Sequence, residues 1–521
     1  MNNNIALLDC TLRDGGHVND GNFGKGTIKS IIKNLVDSKI DIIEAGFLWD
    51  SETDVNTARY NSIDELKSYL PDNLGKSKIA LMADNVDLSN LEAYDGTVEF
   101  IRLSFRKTEF DWAEKTLNIL KEKGYKCYIN PIHGSSITDD EYLRIIEWVN
   151  RVQPYAFSIV DTFGAMRQRD LGRIYYLVEN NLDNKIALGI HLHENLGLAY
   201  SLARYILEIA SPLRRVIIDG SLYGIGKIPG NLCIEQVVDC LNTEFGRNYS
   251  TEPLYDAIDD YIMPIYNKTN WGYSIPYALS AQCGVHRTYA EYLVGKNRLH
   301  TKDIRRILKL IDERNAEIFN KAVIEEKYQR YLNADYDDTE SYIKFRNRFE
   351  NVEKFLIVAP GKSIQMYDFE QIKDRCIITV NFLHSKIHAD YSFFTNSKRL
   401  SYVSETQFEN MIITSNLQKE VKEASLIFSR NELTYHDDVF CDDSTLMLLN
   451  LLKRCKKSDI YLAGFDGFVD LENNFYDASL NRKLESDDFN YELRRQILKT
   501  SYSDLHLKFV TPSMYDESNN I

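Results

Sequence analysis

Between Ile5 and Gly224 the chain alternates short apolar runs with amphipathic segments, and it does so eight times. The runs are Ile5–Leu8, Ile40–Ala45, Ile79–Ala83, Val98–Leu103, Cys127–Pro131, Phe157–Asp161, Ile186–His191 and Val216–Asp219. They are rich in Ile and Val and mostly uninterrupted, as strands buried on both faces must be. The intervening segments carry apolar residues at helical spacing, such as Ile28, Ile31, Ile32 and Leu35 within Thr27–Ser38. Trp112–Gly124 and Tyr142–Val152 follow the same rule. Eight βα units in roughly 220 residues predict an α/β fold of the (β/α)8, or TIM, barrel type. A doubly wound sheet is the alternative. The count of eight and the placement of polar residues at strand ends favour the barrel.

The chain has 521 residues, which suggests two or three domains, and its 44% hydrophobic content suffices for their cores. Residues 1–250 read as the barrel domain. Residues 251–347 read as a helical extension, with Thr301–Asn320 and Lys321–Leu332 helical and the acidic stretch 333–341 as a linker. A second α/β alternation begins at Glu353 and predicts a smaller Rossmann-like domain over 353–515. Its apolar runs are Phe355–Val358, Ile377–Val380, Tyr391–Phe394, Met411–Thr414, Leu426–Phe428 and Ile460–Ala463.

Net charge of −15 argues against nucleic acid as a partner, which demands a positive footprint. None of the eight cysteines has C-x-x-C spacing, so they read as reduced core thiols. No apolar stretch is long enough to span a bilayer, and Met1-Asn2-Asn3-Asn4 runs straight into a strand-like segment. A cytoplasmic protein is expected.

In a barrel of this type the chemistry sits at the carboxyl ends of the strands. Reading those positions gives Arg13, Asp14 and His17 after the first run, and Glu44 at the end of the second. Asp161 and Thr162 end the sixth, and His191, His193 and Asn195 end the seventh. A glycine-rich segment, Gly224 to Gly230 and Asn231, follows the eighth. Residues i and i+2 of a strand share a face, so His191 and His193 can reach one cation. Asp14, from another strand end, would complete a set of two histidines and one carboxylate. The alternative is one packed and one solvated histidine. The chain has only ten histidines, and a pair at a predicted rim favours metal. Arg13 can pair with Glu44 structurally and still face a substrate.

These residues resemble the DRE-TIM metallolyase superfamily. Thr11-Leu12-Arg13-Asp14-Gly15 is similar to its first-strand signature, and His191-Leu192-His193 to its metal segment. Gly226, Gly230 and Asn231 are similar to its last glycine-rich segment. Within it, His17 and Val160-Asp161-Thr162-Phe163-Gly164 resemble the 4-hydroxy-2-oxovalerate aldolase branch. The resemblance implies Mn2+ or Mg2+ on Asp14, His191 and His193, and Arg13 stabilising a pyruvate enolate. It implies His17 as acid/base on the 4-hydroxyl, and Thr162 and Asn231 at the substrate. Glu44 would orient Arg13. His286 stands where that branch places a tyrosine, and reads either as a proton relay or substrate contact or as a helix-surface residue. The implied partners are a 2-oxo acid and an aldehyde, a homo-oligomer is expected, and the second domain alone suggests a role in surface-polysaccharide or related biosynthesis. The alternative in the superfamily is a Claisen-type enzyme that condenses an acyl-CoA, of the isopropylmalate or homocitrate synthase type.

Ala359-Pro360-Gly361-Lys362-Ser363 lacks the first glycine of a phosphate-binding P-loop, yet a glycine turn between strand and helix can still cradle phosphate. With Asn381, Asp390, Asp443-Ser444-Thr445 and Gly464-Phe465-Asp466-Gly467 it resembles sialyltransferase-like nucleotide-sugar-binding domains. That resemblance implies a nucleotide or nucleotide-sugar ligand. A nucleotide-sugar transferase with the barrel as accessory is a further alternative, although Val469–Asp504 carries no histidine.

Overall fold

The computed structural model describes residues 4–132, 137–227, 229–369, 374–383, 387–403, 410–421, 426–435, 440–468, 474–477, 481 and 491–516. The chain divides into two compact units, Met1–Arg287 and Thr288–Ile521.

The first unit is a closed parallel barrel. Its strands are β1 (Ile5–Asp9), β2 (Ile42–Leu48), β4 (Lys78–Asp84), β5 (Phe100–Phe105), β6 (Lys126–Pro131), β7 (Ala156–Asp161), β8 (Ala187–Leu192) and β9 (Val216–Gly220). Sheet order follows chain order, and pairing of β1 with β9 and β2 closes the ring. A two-residue strand, β3 (Arg59–Tyr60), hangs outside on β2. All eight apolar runs are barrel strands.

Period two divides each strand. Outward residues such as Leu7, Ile43 and Ile218 join the core between barrel and helices. Inward residues at the amino end, including Ala6, Leu8, Ile42, Phe100, Tyr128 and Ile217, form an apolar floor. One inward step further along come Glu44, Arg102, His191 and Asp219, all buried. The barrel therefore has an apolar base and a charged upper layer.

The surrounding helices form for local reasons. Asp139–Val152 begins with a capping box, in which Thr138 accepts the Glu141 N–H and Glu141 accepts the Thr138 N–H. It buries Tyr142, Ile145, Ile146 and Val149, a stripe at helical spacing.

The second unit holds a seven-stranded, all-parallel sheet. Its strands are β10 (Lys354–Val358), β11 (Arg375–Val380), β12 (Tyr391–Phe394), β13 (Met411–Thr414), β14 (Leu426–Phe428), β15 (Asp459–Ala463) and β16 (His506–Phe509). Their order is β14-β13-β12-β11-β10-β15-β16, so chain order reverses between β10 and β15.

The helical stretch over 251–347 is shared between the units. Glu252–Ala257 packs into the barrel's core, whereas Thr339–Arg348 places Phe345 in the second core. Thr301–Asn320 is not one helix. It ends at Leu308, and Asp312 then caps a short 3-10 turn by accepting the Arg314 and Asn315 N–H groups. The acidic stretch 333–341 is anchored rather than linker-like. Asp338 is buried, accepts the Ser429 N–H at 3.0 Å, and pairs with Arg454 at 2.7 Å. All eight cysteines are thiols outside any disulfide. No helix among the described residues is long and apolar enough to cross a membrane.

Candidate active site

The loop after β1 is built to face the barrel mouth. The Asp9 carboxylate accepts both the backbone N–H and the hydroxyl of Thr11, each at 2.9 Å. The Thr11 hydroxyl in turn accepts the Leu222 N–H at 2.9 Å, tying the first loop to the last. Burial pushes the Asp9 carboxyl up to about 7 against the Thr11 hydrogen bonds. The turn that follows carries Arg13 and Asp14, both buried, and His17, whose side chain is 44% exposed.

Arg13 donates from Nε to Glu44 Oε2 at 2.7 Å, and its Nη1 stands 3.5 Å from Asp14 Oδ2. The other Glu44 oxygen faces Arg102 Nη1 at 3.2 Å, and Arg102 Nη2 donates to Asp219 at 2.5 Å. The Asp219 carboxylate also accepts from His191 Nδ1 at 3.0 Å. A buried chain of alternating charge thus runs Arg13–Glu44–Arg102–Asp219–His191. Burial works against the charge on Asp219, but Arg102 and His191 hold it below the usual carboxylate range.

That chain fixes the imidazoles. With His191 Nδ1–H on Asp219 and His193 Nδ1–H on the Asp161 carbonyl at 2.8 Å, each ring turns Nε2 into the mouth. Those two Nε2 atoms stand 3.3 and 3.5 Å from one atom, Asp14 Oδ2. Asp14 Oδ2 is buried and has no hydrogen-bond partner. Adjacent donors on one divalent ion, at bond lengths of about 2.1 Å, are themselves separated by roughly 3–3.4 Å. The spacing and the donor set of two imidazoles and a carboxylate fit a divalent metal ion.

Cys10, which sequence reasoning passed over, also lies close. Ligand atoms of Cys10, Asp14 and His191 are all within 4.8 Å of one another. Its thiol donates to Gly220 O at 3.3 Å, and burial pushes its pKa well up. A neutral thiol is a poor donor to a hard cation, so Cys10 reads as packing beneath the site.

The remaining expected residues have these places. Thr162 follows Asp161 at the end of β7 and is half-buried. Asn231 is buried, donates to Ile225 O at 3.0 Å and bridges His193 through the backbone. Its Oδ1 has no hydrogen-bond partner. Close packing here forbids larger residues: a Cβ on Gly226 would sit 2.2 Å from Asn231 Nδ2. His286 is half-buried between two helices, its ring edge-on to Phe163 at 6.3 Å. His17 stands 3.7 Å from Asp14 Oδ1 and edge-on to Phe47 at 5.9 Å. Desolvation first, then the Arg13, Lys227 and Arg287 cations, lowers its pKa to about 4, with Asp14 opposing.

Sequence reasoning missed Arg102, Asp219, Cys10 and Lys227. Arg102 did carry a signal, because a charge inside an otherwise apolar buried strand must be paired. Asp219, last in its apolar run, held the same information.

The HMGL-like family model matches residues 4–257. The chain is 27% identical over 263 residues to a 2-isopropylmalate synthase of Ruminiclostridium cellulolyticum, covering 47% of this chain and 49% of that one. It is 26% identical over 278 residues to a 4-hydroxy-2-oxovalerate aldolase of Chloroflexus aurantiacus, covering 50% and 76%. It therefore spans about half the length of that synthase and three-quarters of that aldolase. A hydroxymethylglutaryl-CoA lyase of Pseudomonas aeruginosa is similar over 56% of this chain and 97% of its own, with 16% identity and a TM-score of 0.41. The barrel of this chain is an HMGL-like domain of the DRE-TIM metallolyase superfamily, a family of enzymes.

Proposed function

We propose that the barrel is a divalent-metal aldolase that cleaves or forms the C3–C4 bond of 4-hydroxy-2-oxo acids. The observation that carries this reading is His17, which faces the same recess as Asp14, Arg13 and the two inward Nε2 atoms. Asp14, His191 and His193 would hold Mn2+ or Mg2+, which when bound acts as a Lewis acid toward the 2-oxo group.

The chain's own residues supply the rest. His17, neutral at pH 7 with its depressed pKa, takes the proton of the 4-hydroxyl. C4 becomes the aldehyde carbonyl as the C3–C4 bond breaks, and that electron pair is delocalised onto the 2-oxo oxygen. Arg13, its guanidinium braced by Glu44, places a fixed cation beside the developing charge. Thr162 and Asn231 border the pyruvate half. A proton returned to C3 completes pyruvate. His286, edge-on to Phe163 beside Thr162, would contact the substrate rather than take the bond-breaking proton.

Two measurements test the reading. With Mn2+ the protein should exchange the pyruvate methyl protons with solvent, because enolisation requires no aldehyde. Background exchange in the metal-loaded protein would sink the pyruvate reading. His17→Ala should lose aldol cleavage by about 10²–10⁴-fold while keeping its metal. Equal losses of both would remove His17 from acid/base work. The Claisen alternative is favoured by the similar identity to 2-isopropylmalate synthase. It predicts thiol release from acetyl-CoA with a 2-oxo acid, and no aldehyde-dependent turnover.

For the second unit we infer a nucleotide or nucleotide-sugar ligand. An open cleft lies at the carboxyl ends of β10 and β15, where the strand order reverses. That is where open α/β sheets bind ligands. Arg298, Arg399, Asn381 and Asn396 line it. The turn after β10 is not free to cradle phosphate as expected, because Asp466 accepts the Ser363 N–H and hydroxyl. Calorimetric titration with cytidine and uridine nucleotides tests this; heats no larger than for the nucleosides would reject a phosphate-bearing ligand.

A further inference from the structure

Phe47 follows Glu44 on β2 and has no assigned role. Glu44 faces the barrel interior, so unbroken period two would turn Phe47 outward to the helices. The strand is broken between them. From Glu44 to Phe47, β2 takes three steps while β4 takes two, from Ala80 to Met82. This one-residue bulge reverses the alternation beyond it. Leu48 accordingly joins the core between barrel and helices, and Phe47 turns inward, its ring edge-on to His17 at 5.9 Å. Met82, the neighbour of Phe47 in register, also points inward, because Leu81 and Ala83 on either side belong to the outer core.

The bulge is specified by glycine. Gly46 adopts a φ of 146°, and a Cβ there would lie 2.1 Å from Ala58 O. Ala58 also fixes the spacing of the two rings. Its carbonyl accepts the Phe47 N–H at 3.0 Å, and its own N–H donates to Gly21 O at 2.9 Å. Gly21 closes the turn that carries His17, donating to Gly16 O at 2.7 Å. One residue thus anchors both Phe47 and the His17 turn. Phe47 is half-buried, so part of an aromatic surface stays open beside His17.

Under the aldolase reading, on which this inference rests, His17 takes the proton of the 4-hydroxyl. The other group on C4 then lies on the Phe47 side of the imidazole. A phenyl ring and a thioether gain by covering hydrocarbon, and offer a hydroxyl or a charge little in return. We infer that Phe47 is a specificity-determining residue, which packs against an alkyl chain carried by the aldehyde partner and limits its length.

The test is a chain-length profile. Pyruvate addition is measured with propanal, with pentanal, and with glycolaldehyde, the polar isostere of propanal. The wild type should favour propanal over glycolaldehyde by at least about tenfold in kcat/KM. Phe47→Ala should raise the pentanal-to-propanal ratio by at least about tenfold, and Phe47→Trp should lower it. A general loss of activity divides out of each ratio. Equal rates with propanal and glycolaldehyde in the wild type would overturn the inference, as would a pentanal-to-propanal ratio unchanged in both variants.

A binding readout covers a wild type that exchanges pyruvate protons but adds none of these aldehydes. Here 2-oxopentanoate and 2-oxooctanoate, which lack the 4-hydroxyl and cannot be cleaved, are titrated into the Mn2+-loaded protein. Phe47→Ala should shift their affinity ratio toward 2-oxooctanoate by at least about tenfold. The same ratio in wild type and variant overturns the assignment. Failure of the wild type to exchange pyruvate protons would instead mark failure of the aldolase reading itself.

Discussion

Asp161 in the barrel and Asp442 in the second unit are both buried aspartates, with opposite fates. Burial pushes the Asp161 carboxyl up to about 7, against hydrogen bonds from the Ala165 and Met166 N–H groups. Burial acts in the same direction on Asp442. There Arg298, Lys296 and Arg430, with the Tyr328 hydroxyl at 3.0 Å, outweigh it and hold the group below the usual carboxylate range. The desolvation penalty is common to both, and the partners decide the sign. The groups left unfilled differ in the same way. Around the barrel mouth Asp14 Oδ2, Asp219 Oδ1 and Asn231 Oδ1 are acceptors without donors, beside the crowded Arg102. Among the described residues of the second unit the unfilled buried atoms are guanidinium nitrogens of Arg375, Arg430 and Arg494.

Asp14→Asn breaks the first half of that contrast most directly. It removes the charge at the point where both Nε2 atoms converge. Pyruvate proton exchange should fall by at least about a thousandfold, and Mn2+ affinity by about a hundredfold or more. Metal analysis after dialysis reads the second; Mn2+ retained as in the wild type would mean that the histidines and carboxylate do not act together.

Asp442→Asn attacks the other half. Arg430 donates to Asp442 at 2.8 Å and is wholly buried, so the neutral amide leaves uncompensated cations in the core. A loss of about 3–5 kcal/mol is expected from urea unfolding of the full chain near pH 7. Because the folded carboxyl's pKa is depressed, its contribution is present above the unfolded value of about 3.9 and vanishes as pH falls through the folded one. The wild type and variant should converge in acid. A difference that stays constant with pH would mean that packing, not charge, explains the loss.

The barrel was legible because a strand buried on both faces must be apolar along its length. The eight runs, Glu44 at the end of one and the His191–His193 pair at the end of another, follow from periodicity alone. The edge strand β16 was not legible. Its residues His506–Phe509 alternate between exposed and half-buried, as an edge does, and never form an apolar run. Arg102 and Asp219 show a different limit. A charge in a buried strand announces that a partner exists, but the partner lies across the ring, more than a hundred residues away.

Asp161→Asn sharpens the contrast through pH. The folded carboxyl titrates near 7, above its unfolded value of about 3.9. The stability of the protonated form is therefore present below pH 4 and lost as pH rises through 7. Asparagine keeps an acceptor for the Ala165 and Met166 N–H groups and carries no charge to bury. The variant should gain on the wild type between pH 5 and 8, by on the order of 3 kcal/mol. Parallel stability curves would show that Asp161 is ionised and tolerated, and that the two aspartates do not differ as described.

Asp219→Asn makes the smallest change and asks whether the barrel's charge chain matters beyond packing. The amide oxygen can still accept from His191 Nδ1, but it no longer offers a full charge to Arg102, which now stands at 2.5 Å. The imidazole keeps its tautomer and loses basicity. Mn2+ affinity should fall by about 10–100-fold, roughly 1.4–2.7 kcal/mol. Asp219→Ala should cost more, because His191 would also lose its orientation. If both variants bind Mn2+ like the wild type, β8 alone sets the ring, and the buried pairing of Arg102 with Glu44 and Asp219 serves the fold rather than the ion.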